Sequence, residues 1–318
     1  MKYYLGIDLG GTNIAAGVVD EQKKVVSSVS IKTNSDRPAE AVIEDMASAA
    51  SDAAKKAGIS LESVEWIGVG SPGAANHSTG MIEFSSNLGW HDVPLVRLLE
   101  KQTGKKVYIE NDANAAAYGE YTAGVGKDID ILVMVTLGTG VGGGIIINNE
   151  IYSGFNFAGA EIGHTVIVAD GRYCPCGRNG CWEAYASATG LITTTREHMQ
   201  KEASSKMWDV AGHDLANVNG RTAFDAMRAG DPAGREVVEE YIKYLACGIT
   251  NMINIFQPNM LCIGGGISRE GEALLKPLRE LVSSEVYTRQ GKHNTEIVAA
   301  SLGNSAGIIG AALLGFAK

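Results

Sequence analysis

The sequence predicts an α/β protein made of two related domains, and three observations carry that expectation. Residues 8–20 (Asp-Leu-Gly-Gly-Thr-Asn-Ile-Ala-Ala-Gly-Val-Val-Asp) align without a gap on residues 136–148 (Thr-Leu-Gly-Thr-Gly-Val-Gly-Gly-Gly-Ile-Ile-Ile-Asn). Each copy reads as strand, Gly/Thr corner, strand and polar turn, the mark of an internal repeat. The 40 glycines exceed the usual share of roughly 7%, and they are clustered at 10–11, 138–144 and 264–266, each cluster directly after an apolar run. Between these landmarks, strand-like and helix-like patterns alternate, as they do in α/β chains.

The elements follow in order. Residues 3–9 and 131–137 are β-branched or apolar runs that enter the two glycine corners, and Asp20-Glu-Gln-Lys and Asn148-Asn-Glu close second hairpins. Residues 38–58 read as a helix, with proline at the start and Gly58 at the end. A strand over 64–69 runs into Gly70-Ser-Pro-Gly73, and one over 107–110 runs into Asn111-Asp112 and an alanine-rich helix. Residues 182–256 are expected to be largely helical, including 232–256 with its charged first half. A strand over 260–263, a helix over 273–286 and a strand over 296–299 follow, and a small-residue helix starting at Asn304 closes the chain. The implied division is a first domain over 1–116, completed by 304–318, and a second over 117–303.

The composition excludes several function classes. A net charge of -9 argues against a nucleic-acid surface, which needs clustered Lys and Arg to neutralise phosphates. No apolar run reaches membrane-spanning length, and the strand pattern starting at Tyr3 leaves no room for a signal peptide. The expectation is a soluble cytoplasmic protein with a small-molecule partner.

The cysteines point to a metal. His164 precedes Cys174-Pro-Cys176-Gly-Arg-Asn-Gly-Cys181-Trp-Glu183, so three of five cysteines lie within eight residues of one another. Cys174 and Cys176 are too close to bridge easily, and reduced thiols in the cytoplasm suit metal binding better than disulfides. One closed four-ligand zinc site of His164, Cys174, Cys176 and Cys181 is the expectation, structural in kind. Glu161 and Glu183 flank it.

The glycine corners allow two readings, a pair of tight hairpin turns or a pair of phosphate cradles. Gly138-Thr-Gly140-Val-Gly-Gly143 satisfies the G-x-G-x-x-G expression, but a dinucleotide loop must open a helix and this one continues as strand. A P-loop signature is absent from the sequence. The cradle reading uses backbone N–H groups at Gly10, Gly11, Thr12 and Asn13 and at Gly138, Thr139 and Gly140. Asp8 either starts a turn or holds a magnesium shell over the phosphates. Asp112 follows a strand and starts a helix, which makes it an N-cap, a general base, or both; a helix N-terminus would lower its pKa. Weak basicity suffices where the proton leaves late, as in phosphoryl transfer. Asn87-Leu-Gly-Trp90 is either a turn with a core tryptophan or an amide beside an apolar wall.

Asp8-Leu-Gly-Gly-Thr12, Glu110-Asn-Asp-Ala-Asn114, Leu137-Gly-Thr-Gly140, Glu161-Ile-Gly-His164 and the cysteine motif ending at Glu183 together resemble the ROK family (repressors, open reading frames and sugar kinases) of the actin-like ATPase superfamily. The resemblance covers essentially the whole chain. It implies a two-domain actin-like (ribonuclease H-like) fold with a cleft between the domains, closing over a hexose and moving the γ-phosphoryl of ATP to the sugar 6-hydroxyl. Asp112 matches the catalytic base; Gly73, Asn87, Asn111, Glu161, His164 and Glu183 match sugar ligands; His164, Cys174, Cys176 and Cys181 match zinc ligands. Asp8, Gly10, Gly11, Thr12, Asn13, Gly138, Thr139, Gly140, Gly264, Gly265 and Gly266 match nucleotide contacts. Ser305 stands where many members have aspartate. The layout is most similar to the ATP-dependent glucokinases, with kinases of fructose, N-acetylglucosamine, N-acetylmannosamine or allose as the alternative. A homo-oligomer, dimer or tetramer, is also implied. Repressor members place a DNA-binding module before the core, whereas here the core pattern begins at Tyr3.

Overall fold

The first repeat builds the first sheet. In the computed structural model, which describes residues 1–317, β1 (Tyr3–Leu9) and β2 (Asn13–Asp20) pair antiparallel from Tyr3↔Asp20 to Leu9↔Ile14, with the glycine corner between them. β2 continues antiparallel into β3 (Val25–Lys32). The second hairpin expected at Asp20-Glu-Gln-Lys is present, and its outer strand, β3, is a mostly exposed edge strand that intersperses serines among its apolar residues. α1 (Ala39–Lys56) buries Val42, Ile43, Met46, Ala49, Ala50, Ala53 and Ala54 along one stripe. β4 (Val64–Ser71) then joins β1 in parallel. A small antiparallel ribbon of β5 (Ala74–Asn76), β6 (Met81–Ser85) and β7 (Trp90–Val93) stands apart. α2 (Leu95–Thr103), ended by Gly104 at φ +67°, leads to β8 (Val107–Asn111), which pairs parallel with β4. α3 (Asp112–Ala123) follows.

The second repeat builds the second sheet. β9 (Ile131–Leu137) and β10 (Val141–Ile147) flank its corner, and β10 turns into β11 (Glu150–Ile151) through Asn148 and Asn149, both at positive φ, as a two-residue hairpin requires. The expected helical stretch is α4 (Glu183–Ala186), α5 (Ala188–Lys201), α6 (Met207–Val210), α7 (Thr222–Arg228) and α8 (Pro232–Phe256). β12 (Met260–Gly265), α9 (Glu272–Glu285) and β13 (Glu296–Ala299) follow, with β12 and β13 parallel. The closing helix, α10 (Ala306–Leu313), starts two residues later than Asn304, after a short 3-10 turn. The last residue of the expected 304–318 segment lies outside the described residues.

The two sheets have the same plan: β3-β2-β1-β4-β8 in one and β11-β10-β9-β12-β13 in the other. The gapless alignment of the two corners therefore extends to the order of five strands. Two compact units interleave along the chain: residues 1–132, 144–160 and 301 onward form one, and 133–143 with 161–300 the other. The division expected at residue 116 falls inside α3, which runs unbroken to Ala123. Among the described residues no helix is long and apolar enough to cross a membrane.

Within the first unit, α10 lies on β1, β4 and α3 at backbone distance. A Cβ on Gly6 would sit 1.9 Å from the Ile308 carbonyl oxygen, one on Gly68 1.7 Å from that of Ala311, and one on Gly310 1.6 Å from that of Ala115. All eight residues of α10 are buried, and Trp66 Nε1 donates to the Ala312 carbonyl at 2.9 Å. Gly310→Ala is expected to cost about 3 kcal/mol, since the partner is backbone that has no rotamer to change. Gly266→Ala, with nothing within 4 Å of its added carbon, should stay within about 0.5 kcal/mol. Chemical denaturation of the two variants checks this; equal losses would show that the contact is not limiting.

Candidate active site

In the first unit the residues singled out by the sequence gather around the ends of β1, β4 and β8. Asp8, near the end of β1, faces α10, where a Cβ on Gly307 would come within 2.5 Å of its carboxylate. Burial, helped by the charge of Asp112, pushes Asp8 up to about 6. Gly73, at φ +98°, has no room for a side chain, because a Cβ there would meet the Phe84 carbonyl at 2.1 Å. Its own carbonyl accepts a hydrogen bond from Asn111 Nδ2 at 3.2 Å. The turn carrying Asn87 lies against the first corner, since a Cβ on Gly11 would touch Asn87 at 3.6 Å. Trp90 is buried and belongs to the core.

Two expectations about Asp112 change. The cap of α3 is Asn111, whose Oδ1 accepts from the Ala113 and Asn114 N–H groups at 2.9 and 3.2 Å. Asp112 is the first helical residue, and its carboxylate accepts from the Ala113 N–H at 2.9 Å. The helix terminus was expected to lower its pKa. Instead burial raises it, against the pull of the backbone N–H groups of Ala113 and Asp112 itself. Desolvation of the carboxylate outweighs those donors, so Asp112 is a better proton acceptor than a capping aspartate.

The sequence reading placed Glu110 at the strand end without giving it a function. It is buried, and its Oε1 accepts from the Asn111 N–H at 2.9 Å and from Asn114 Nδ2 at 3.0 Å, while its Oε2 accepts from Ser153 Oγ at 2.9 Å. His77 Nδ1 lies 3.7 Å from the same carboxylate, and this contact raises the imidazole pKa. Glu110 thus orients the peptide that presents Asn111 and Asp112. Its sequence signal was its place at the head of the Glu110-Asn-Asp-Ala-Asn114 motif, a carboxylate beside two polar neighbours.

In the second unit the corner at Gly138–Gly140 is a tight turn, with the Gly138 N–H donating to the Gly140 carbonyl at 3.0 Å. Glu183 Oε2 accepts from the Val141 N–H at 2.9 Å, and a Cβ on Gly140 would lie 2.2 Å from that oxygen. Glu161 and His164 stand at the two ends of the 3-10 turn Ile162–His164. Gly163 between them packs on β10, where a Cβ would meet the Val141 carbonyl at 2.1 Å. Gly265, at φ +87°, backs onto the Leu137 carbonyl in the same way, while Gly266 faces open space. The residues of this half thus surround its glycine corner.

His164, Cys174, Cys176 and Cys181 present ligand atoms all within 4.8 Å of one another. Cys174 Sγ is 3.7 Å from His164 Nδ1, and Cys176 Sγ is 3.6 Å from Cys181 Sγ. All five cysteines of the chain are free. Tetrahedral ligands at ordinary zinc–sulfur and zinc–nitrogen distances stand about 3.5–3.8 Å apart, so the cluster has the spacing of a metal centre. Trp182 anchors this segment: its indole lies so close to α8 that a Cβ on Gly248 would meet it at 2.0 Å, and its Nε1 donates to the Tyr244 carbonyl at 2.9 Å.

A sequence model of the ROK family matches residues 4–317. The chain belongs to the ROK family. It is 39% identical over 310 residues to a glucokinase of Thermotoga maritima, covering 97% of this chain and 95% of the relative. A glucokinase of Streptomyces coelicolor is 36% identical over 314 residues, covering 98% and 97%. Among solved structures, a ROK family glucokinase from Streptomyces griseus, in complex with glucose and AMPPNP, superposes with a TM-score of 0.85 at 34% identity, covering 98% of both chains. The fold of this ROK chain is accordingly the two-domain actin-like ATPase fold.

Because the charge of Asp112 contributes to the raised Asp8 pKa, Asp112→Asn should move the Asp8 midpoint down from about 6 toward the ordinary carboxylate range. The shift should be partial, since burial is the larger cause. A carboxyl-carbon NMR titration reads this directly, and an unmoved midpoint would show that the two carboxylates do not interact.

Proposed function

We propose that this ROK protein is an ATP-dependent glucokinase that transfers the γ-phosphoryl group of ATP to the 6-hydroxyl of glucose. The observation that carries the reading is full-length likeness to glucokinases, one of them solved with glucose and AMPPNP. The local chemistry supports it. The Asp112 carboxylate, made more basic by burial, takes the proton of the 6-hydroxyl as that oxygen bonds to the γ-phosphorus. The bond from phosphorus to the β–γ bridging oxygen breaks, and ADP leaves with that electron pair. Such a transition state needs positioning and charge stabilisation more than a strong base.

Asn111, tied to the Gly73 carbonyl, and Asn87 are the sugar ligands on the Asp112 side, and Glu161, His164 and Glu183 the others. The corners Gly10–Asn13 and Gly138–Gly140 and the Gly264–Gly266 turn bind the nucleotide through backbone N–H groups, as glycine corners do with phosphates; the Gly10 and Gly138 N–H groups close the corners themselves, on the Asn13 and Gly140 carbonyls. Asp8 would hold a magnesium ion through its water shell, and the ion would neutralise charge on the phosphate oxygens.

The spacing of the cysteine cluster fits zinc, held by His164 Nδ1 and the sulfurs of Cys174, Cys176 and Cys181. Burial pushes the Cys174 thiol up to about 12, and a divalent cation reverses that by binding the thiolate. Four protein ligands leave no open position, so the metal is structural. With Nδ1 turned to the sulfurs, His164 keeps Nε2 for a sugar hydroxyl. Reduced thiols at such a site also suit a cytoplasmic enzyme.

A coupled ADP-release assay over a hexose panel tests the reading. Glucose should give the highest kcat/KM and 6-deoxyglucose none, and Asp112→Asn should lower kcat by about 10²–10⁴-fold with glucose binding kept. N-acetylmannosamine phosphorylated faster than glucose would overturn the substrate, and a fully active Asp112→Asn the base. Metal analysis should find one zinc per chain. Cys176→Ser should lose it and raise the glucose KM, because the loop carrying His164 and Glu183 slackens. Unchanged glucose affinity after proven zinc loss would make the metal a remote staple.

A further inference from the structure

Each glycine corner is held from behind by a threonine hydroxyl that lies outside every motif described above. In the first unit Thr33, wholly buried just past β3, donates its Oγ1–H to the Gly10 carbonyl at 2.6 Å and its N–H to the Thr12 carbonyl at 3.0 Å. In the second unit the start of α5 does the same. The Ala188 N–H donates to the Gly138 carbonyl at 2.9 Å, and Thr189 Oγ1 donates to the Thr139 carbonyl at 2.8 Å.

A trans peptide is planar, with its C=O and N–H pointing in opposite directions. Tying the carbonyls of Gly10 and Thr12 to Thr33 therefore turns the N–H groups of Gly11 and Asn13 the other way. Tying those of Gly138 and Thr139 to α5 does the same for the N–H groups of Thr139 and Gly140. Glycine-rich corners are free to flip their peptides, and a flipped peptide would present a carbonyl to an anion. A tether on the carbonyl removes that alternative before any ligand arrives, which lowers the cost of ordering on binding. The two tethers come from unrelated elements, a strand end and a helix start; both hold the first carbonyl of the corner, Gly10 and Gly138, and the second carbonyl held is Thr12 in one copy and Thr139, one position earlier in the repeat, in the other.

We infer that Thr33 and Thr189 are positioning residues of the nucleotide site, holding the peptides of the two corners with their N–H groups toward the phosphates of ATP. The inference rests on the kinase reading above. It predicts a selective effect on the nucleotide, because neither hydroxyl reaches the residues assigned to the sugar.

The test uses full-length protein and two measurements, calorimetric binding of magnesium–AMPPNP and steady-state KM for ATP and for glucose. Thr33→Val keeps the side chain's shape and the bond from its N–H but deletes the hydroxyl; Thr33→Ser restores it. Thr189→Val and Thr189→Ser form the second pair, and since Thr189 is exposed its variants test the inference even where Thr33→Val folds poorly. Each valine variant should weaken AMPPNP binding and raise the ATP KM about threefold to tenfold, the worth of one hydrogen bond. The glucose KM should hold within about twofold, and each serine should recover wild-type values. Wild-type nucleotide affinity in both valine variants would overturn the inference, as would an equal loss of glucose affinity. Wild-type protein that is folded but binds no AMPPNP would instead overturn the kinase reading, before any variant is compared.

Discussion

The first unit depends on the approach of α10 to β1, β4 and α3 at backbone distance. Glycines at 6, 68 and 310 leave no side chain between the surfaces, so the position of the helix is set by carbonyl oxygens and Cα atoms that cannot adjust by changing rotamer. Most of what is assigned to chemistry in that unit hangs from these elements. Asp8 stands near the end of β1 with Gly307 of α10 against its carboxylate, and Asn111 and Asp112 open α3. Gly119 of α3 meets α10 in the same manner, a Cβ there falling 2.4 Å from the Ala306 carbonyl. The C-terminal segment is fastened further by Glu120, wholly buried, which accepts from the Leu302 N–H at 2.7 Å and from Ser301 Oγ at 3.1 Å.

Carboxylates and hydroxyls do a second kind of work, turning the backbone instead of packing it. Glu110 fixes the peptide before Asn111, Glu183 takes the N–H that follows the second corner, and Thr33 and Thr189 hold carbonyls behind the two corners. Each satisfies a buried or constrained polar group and in doing so chooses which face of a peptide meets solvent. Glu183 also links two assignments. One oxygen restrains the second corner and the other lies 3.8 Å from Cys174 Sγ, so the cysteine cluster and the glycine loop share one side chain.

Much of the site was legible because its chemistry is local. Three cysteines within eight residues read as a metal cluster since sulfurs so close in sequence can converge without help from the rest of the chain. The repeated Gly/Thr corners were visible because a hairpin turn is specified by the residues in it. The ribbon β5–β7 and α2 were not visible. They are short or half exposed, and their pattern is set by neighbours far off in sequence. The cap of α3 was assigned to Asp112 when Asn111 holds it, a shift of one residue that only the backbone angles decide.

From sequence alone came the two-domain α/β class, the repeat, the four-ligand cluster and the family, all properties of residue order and spacing. Tertiary structure alone decided the proton affinity of Asp112 and Asp8, because burial is a property of the folded surroundings and here outweighs the helix terminus that sequence logic invoked. It also decided what the glycines are for. Gly6, Gly68 and Gly310 lie in ordinary strand and helix sequence, and the backbone they admit comes from elements up to 302 residues away, as between Gly6 and Ile308. A missing Cβ has no meaning until the atom that would have struck it is in place.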